Sequence, residues 1–300
     1  MRTARLSRTC HAAVTRILLV VFFTSGAAAA TQASAAANSI GINFVGGSQV
    51  GVGGSSGGGA VNSMQLSEFA GVVPQAFWNN AGIGGQANNS VNESGTLAAG
   101  TLTDSSGTPV PALMCTWNAQ NTFSTYVADN AGSFRMMKGY LDSSGVSGPY
   151  ASSTTTVTIA NLPSSYVTSG YDVILYFDGL INVATTQDRV GRYRVFDGPT
   201  NSGTMLGEIF GRDPAGVDFS GNYIQASGTS IASVSAGNYV RFSGLHASTI
   251  TVDAFGSADT VPRAPINGIQ IVAIPEPCAA ALAALGLVAG ASVFPRRNRE

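Results

Sequence analysis

Charge is scarce in this chain of 300 residues: Asp, Glu, Lys and Arg together make up 10%, against roughly a quarter in an average soluble domain. That excludes a coiled coil, which needs charged flanks beside its apolar seam, and a disordered chain held open by self-repulsion. Cysteine occurs three times, with Cys10 and Cys278 near the two ends. Cys115 is left alone in the central body, so no intrachain disulfide can form there. Its apolar neighbours Leu113, Met114 and Trp117 mark it as a small buried hydrophobe rather than a reactive thiol. His246 is the only histidine of the body. A zinc site with several His or Cys ligands is excluded by count. A Ser-His-Asp triad would depend on His246, and no nucleophile elbow at a strand-to-helix turn accompanies it. Long apolar runs are missing except at the ends, which excludes a multi-span membrane protein.

What is present is glycine, 37 residues of it, together with abundant Ser, Thr and Asn, and an apolar content of 44% that is ample for a core. The two ends differ from the middle. Arg2, Arg5, Arg8 and Arg16 precede a short apolar run at 17–23, and small residues offer cleavage after Ala30, Ala35 or Ala37. Residues 1–35 therefore read as a signal peptide, a helix too short to be a membrane span. At the other end, Pro275, Glu276 and Pro277 precede 17 uncharged residues at 278–294, followed by Arg296, Arg297 and Arg299. As a helix this run is about 25 Å long, near the lower limit for a bilayer. The closing arginines would stay on the cytoplasmic side, which leaves the body outside.

In its order of Pro275-Glu276-Pro277, an Ala/Leu/Gly-rich apolar helix and Arg296, Arg297 and Arg299, the segment 275–300 resembles the PEP-CTERM sorting signal of Gram-negative bacteria. Cys278 departs from the Ser or Ala more usual after the tripeptide. The resemblance implies processing by an exosortase, a membrane transpeptidase-like enzyme. It also implies a role at the cell surface or in the exopolysaccharide matrix.

The body, 36–274, holds eight basic and 14 acidic residues, a net charge of −6. Such a surface disfavours nucleic acid, whose phosphates need a basic footprint. Short apolar or alternating runs recur between Gly, Ser, Asn and Asp clusters. They predict strands at 40–45, 75–78, 113–117, 134–141, 154–159, 171–177, 191–196, 205–210, 223–225, 238–242, 249–254 and 266–272. Nowhere does a helical period persist for the length of a helix. The expectation is an all-β domain, a two-sheet β-sandwich or jelly roll, flanked by the signal helix and a C-terminal transmembrane helix. Residues 46–60 form a Gly/Ser-rich loop. Residues 82–87 mimic part of a dinucleotide fingerprint but occupy a Gly/Asn-rich loop. No cofactor is expected. Residues 70–75, 78–80, 102–107, 136–142, 171–179 and 267–271 are similar to a pattern in secreted β-sandwich domains that carry the same tail and have no assigned activity.

Candidate ligand contacts are few. Trp78, beside Asn79 and Asn80, could stack on a sugar, whereas Trp117 lies in an apolar run. The period of two places Tyr171, Val173, Leu175 and Phe177 on a core face and Asp172, Ile174, Tyr176 and Asp178 on the other. Arg192 and Arg194 share a face. If their strand neighbours residues 171–178, they pair with its Asp side chains. Alternatively, Tyr176, Arg192 and Arg194 make a platform for an acidic polysaccharide. Asp213, Asp218 and Asn222 supply oxygen ligands in a Gly-rich loop, a weak calcium pattern. Among the 14 acids nothing singles out a catalytic pair for glycoside hydrolysis. The leading reading is a non-enzymatic structural or adhesive matrix protein. A carbohydrate-binding module and a glycan-active hydrolase are the alternatives.

Overall fold

The computed structural model describes residues 38–46, 62–82, 93–143, 154–179, 188–256 and 263–275. The signal peptide, most of the loop at 46–60, most of 82–87 and the tail from Glu276 onward lie outside the described residues.

The described residues are mostly strand. In chain order the strands are β1 (Ser39–Phe44), β2 (Asn79–Ala81), β3 (Ser94–Leu97), β4 (Met114–Asn118), β5 (Asn121–Ser124), β6 (Gly139–Asp142) and β7 (Thr154–Ala160). They continue with β8 (Tyr171–Tyr176), β9 (Arg189–Asp197), β10 (Met205–Asp213), β11 (Ser235–Ala236), β12 (Tyr239–Leu245), β13 (Ile250–Gly256) and β14 (Gly268–Ala273). Two short helices interrupt them, α1 (Ser133–Met136) and α2 (Ser164–Ser169). One sheet has the order β12-β8-β14-β1-β2, a second the order β11-β10-β9-β13-β7-β4-β3, and β5 and β6 form a hairpin. Pairing is antiparallel except between β1 and β2 and between β10 and β11.

The main core draws on both large sheets. It collects Ile40, Ile42 and Phe44 of β1, Val173 and Leu175 of β8, and Ile269 and Ile271 of β14. From the seven-stranded sheet come Cys115 and Trp117 of β4, Val157 and Ile159 of β7, Tyr193 and Val195 of β9, and Val252 of β13. Alternation explains the second sheet: β7 presents Val157 and Ile159 inward and leaves Thr156 and Thr158 half exposed. Burial pushes the Cys115 thiol up to about 12, so it packs as a small hydrophobe.

The five-stranded sheet is buried on both faces. All six residues of β8 are buried, because a second apolar layer covers the face turned away from the main core. That layer joins Ile174, Tyr176 and Val272 of the sheet to Met64, Ala70, Trp78, Val127, Met136, Met137 and Phe219. Two close approaches need glycine. A Cβ on Gly41 would stand 2.6 Å from Trp78 Cε3, so the indole lies directly on the β1 backbone. Gly139 would bring a Cβ within 1.9 Å of Gly46 N, so the end of β1 and the β5–β6 hairpin touch backbone to backbone.

Several sequence expectations change in detail. Residues 75–78 are not a strand: Phe77 adopts φ 54°, which breaks extended pairing, and the strand begins at Asn79. Residues 134–141 divide into α1 and β6, and 223–225 contributes only a single bridge, Gln225 to Tyr239. Strands β3 and β5 carry no apolar run, with sequences SGTL and NTFS.

Candidate functional site

The outer face of the seven-stranded sheet is where an accessible polar surface forms. Register aligns Thr96, Thr116, Thr158 and Thr251 across four strands, and the row continues through Phe196 to Met205. In the adjacent row Asn118, Thr156, Asp253, Arg194 and Glu208 stand side by side. Arg194 Nε donates to Asp253 Oδ1 at 2.8 Å and Nη2 to Oδ2 at 2.5 Å. The hydrogen bonds that Arg194 donates to Asp253 raise its guanidinium pKa against the effect of burial. Its Cζ lies 5.0 Å from the Phe196 ring centroid. Arg192 Nε donates to Glu208 Oε1 at 2.6 Å, and its Cζ lies 5.8 Å from Phe210.

The β9–β10 turn folds over part of this face. Thr251 Oγ1 donates to Gly198 O at 2.8 Å, Thr158 Oγ1 to Pro199 O at 3.3 Å and Asn201 Nδ2 to Asp253 Oδ2 at 3.2 Å. Thr251 and Asp253 are buried as a result. The open part therefore runs through Thr96, Thr116 and Thr156 to the half-exposed Arg192. Arg192→Ala should cost less than about 1 kcal/mol, because the pair it forms with Glu208 is partly solvated. Chemical denaturation against wild type measures this. A larger loss would mean that Arg192 carries more of the sheet than Glu208 and Phe210 account for.

The remaining sequence-predicted site residues are scattered. Trp78 is 2% exposed and Tyr176 is fully buried. Trp78 Nε1 donates to Gln75 O at 3.1 Å. The Tyr176 hydroxyl accepts the Val72 N–H at 2.7 Å and donates to Gln270 Oε1 at 2.7 Å. Their rings meet edge to face at 6.2 Å. This corrects the expectation of an aromatic sugar platform: the second apolar layer already occupies the ring faces. Nor does Tyr176 join the arginines, since β8 and β9 belong to different sheets. The expected Asp–Arg pairing between those strands is corrected for the same reason. Asp172 instead binds Arg241 of β12, with Arg241 Nε donating at 2.9 Å. Trp117 is in the main core, edge-on to Phe44 at 5.9 Å. His246 is exposed, with Nδ1 2.8 Å from Val167 O of α2.

A second polar centre is wholly internal. Asp178 and Asp213 are 2% and 3% exposed. Asp178 Oδ2 accepts the Phe219 N–H at 3.1 Å, and Asp213 Oδ2 accepts the Gly179 N–H at 2.9 Å. Burial, reinforced by Asp213, pushes the Asp178 carboxyl well above its usual range. Burial pushes Asp213 up to about 8, against the opposing Gly179 hydrogen bond and the Arg189 charge. Sequence reasoning missed this pair because Asp178 and Asp213 are 35 positions apart, one just beyond β8 and the other at the end of β10 in a different sheet; the apolar runs Val173–Phe177 and Ile209–Phe210 were the available signal. The calcium candidates fare differently from each other. Asp213 is covered, Asp218 is half-buried, and the Asn222 backbone carbonyl accepts from Asn238 Nδ2 at 2.9 Å. Among the described residues no three His, Cys, Asp or Glu side chains are placed to hold a metal ion, and no helix is long and apolar enough to cross a membrane. Compared with protein-family models, curated proteins and solved structures, the chain matches none.

Proposed function

We propose that this chain is an exported protein of the cell surface or extracellular matrix, sorted by an exosortase-type enzyme, whose two-sheet β-sandwich plays a structural or adhesive part beside exopolysaccharide. In this reading the signal peptide directs export, the C-terminal helix anchors the chain transiently, and Pro275-Glu276-Pro277 marks the junction at which it is processed. The observation that carries it is the position of that tripeptide relative to the folded body. β14 ends at Ala273, and Ile274 N still donates to Gly170 O at 2.9 Å. The tripeptide begins at the next residue. A cut there releases the body with its last strand in place. The paired arginines and the threonine rows of the seven-stranded sheet supply a polar face suited to a hydrated polysaccharide.

Deleting residues 275–300 tests the sorting step. The shortened body should keep the wild-type unfolding midpoint, while its distribution between membrane, surface and medium changes in a host that has the sorting enzyme. Equal distribution of the two chains, with the same C-terminal processing state, would overturn the reading. A carbohydrate-binding module remains the second reading, favoured by the half-exposed Arg192 and Thr156 on the outer face of one sheet. A glycan array with the Arg192→Ala variant separates it from a purely structural role.

A further inference from the structure

The outer face of the seven-stranded sheet carries an aromatic side chain that the core does not use. Phe255 of β13 is only partly buried, although Asp253 and Ala254 before it are fully covered. Its register partners are Thr154 of β7 on one side and Arg192 of β9 on the other, and Arg192 in turn stands beside Phe210 of β10. All four are half-exposed. The anchors of the β9–β10 turn, Thr158, Thr251 and Asp253, lie in the other two rows. Among the described residues, no other aromatic ring and no guanidinium lies against the Phe255 ring.

The flanks of Phe255 are polar and fixed. Arg192 directs Nε and Nη2 at Glu208 and rests its Cζ 5.8 Å from the Phe210 centroid. Its planar fork is therefore held in place before any ligand arrives, and Nη1 stands outside the Glu208 pair. The Thr154 hydroxyl can donate and accept. Neighbouring strands put both residues about 5 Å from Phe255, so a ring stacked there has its rim within reach of each. The charges on this face are already matched, Arg192 by Glu208 and Arg194 by Asp253. The body as a whole carries a net charge of −6, which repels an anionic chain. The row therefore suits an uncharged ligand with one apolar face and a rim of hydroxyls, which describes a pyranose ring.

We propose that the Thr154–Phe255–Arg192 row is a binding subsite for a neutral polysaccharide. The C–H face of one sugar ring packs on Phe255. Hydroxyls on its rim accept from Arg192 Nη1 on one side and exchange hydrogen bonds with Thr154 on the other. Phe210 and Glu208 are positioning residues, because they hold the guanidinium. This inference rests on the reading that the body works beside exopolysaccharide, and it names the ligand class and the contacts.

Native affinity electrophoresis of the full-length chain tests it, with hydroxyethylcellulose as the neutral probe and alginate as the anionic one. Hydroxyethylcellulose should retard the wild type and alginate should not. Phe255→Leu keeps an apolar side chain in the strand but removes the ring, and should weaken the retardation about fivefold to tenfold. Arg192→Ala should weaken it as well while leaving the unfolding midpoint nearly unchanged. Retardation by alginate instead, or retardation by hydroxyethylcellulose that neither variant alters, would overturn the subsite and leave a matrix role standing. No retardation by either probe would also overturn it, whereas the sorting step is decided separately by the deletion of residues 275–300.

Discussion

Trp78→Ala is expected to cost about 3–5 kcal/mol of folding stability, the range for emptying a large buried aromatic site. The indole lies on the β1 backbone at Gly41 and meets Tyr176 edge to face. Its N–H is satisfied by Gln75 O. Alanine leaves a cavity between the five-stranded sheet and its covering layer and strands the Gln75 carbonyl. Loops 62–78 and 125–137 and the Phe219 segment share that layer, so the loss should spread beyond one contact. Urea unfolding of wild type and variant reads the effect as a lower midpoint. A variant as stable as wild type that loses glycan binding would return Trp78 to the surface role its sequence neighbours suggested.

Stability should fall as pH rises from about 4 to about 8, and Asp213→Asn should remove much of that fall. In the unfolded chain an Asp releases its proton near 3.9. Folded, Asp213 holds its proton up to about 8. Between those values the folded state binds more protons than the unfolded state, so the free energy of unfolding declines with pH. The contribution is fully favourable below the unfolded value and is lost as pH passes through the folded one. Asp178, also raised, adds in the same direction, while the Arg189 charge opposes both. An asparagine at position 213 can still accept the Gly179 N–H through its amide oxygen, but it carries no charge to bury. Asp104 acts oppositely: although burial raises it, hydrogen bonds from Ser106, Thr108 and Asn38 prevail and lower it, so its contribution is lost in acid. Thermal unfolding across pH 4–8 checks the prediction. A flat wild-type profile, or an equal slope in the asparagine variant, would refute it.

Strands with strong β-branched or alternating patterns were legible from sequence, including β7, β8, β9, β13 and β14. Their inward residues depend on a period of two that is visible locally. The second layer was not legible. Nothing in residues 171–176 announces that Ile174 and Tyr176 are covered by segments as distant as Met64 and Phe219. For the same reason Trp78 and Tyr176 could be read as open aromatics. The arginine pairs were legible in kind but not in partner. Arg194 and Asp253 meet only because β9 lies beside β13, and strand order is a property of the whole sheet. The Asp178–Asp213 centre shares this origin.

The placement of β14 bears on when this body can assemble. It lies between β8 and β1, pairing Ile271 with both Val173 and Ile40. The earliest described strand therefore waits for the latest, more than 200 positions downstream, and such distant pairing makes folding slow. On the export route proposed above, the chain would remain loose enough to thread until residues 268–273 had crossed, and the topology of a single sheet would then order translocation before closure.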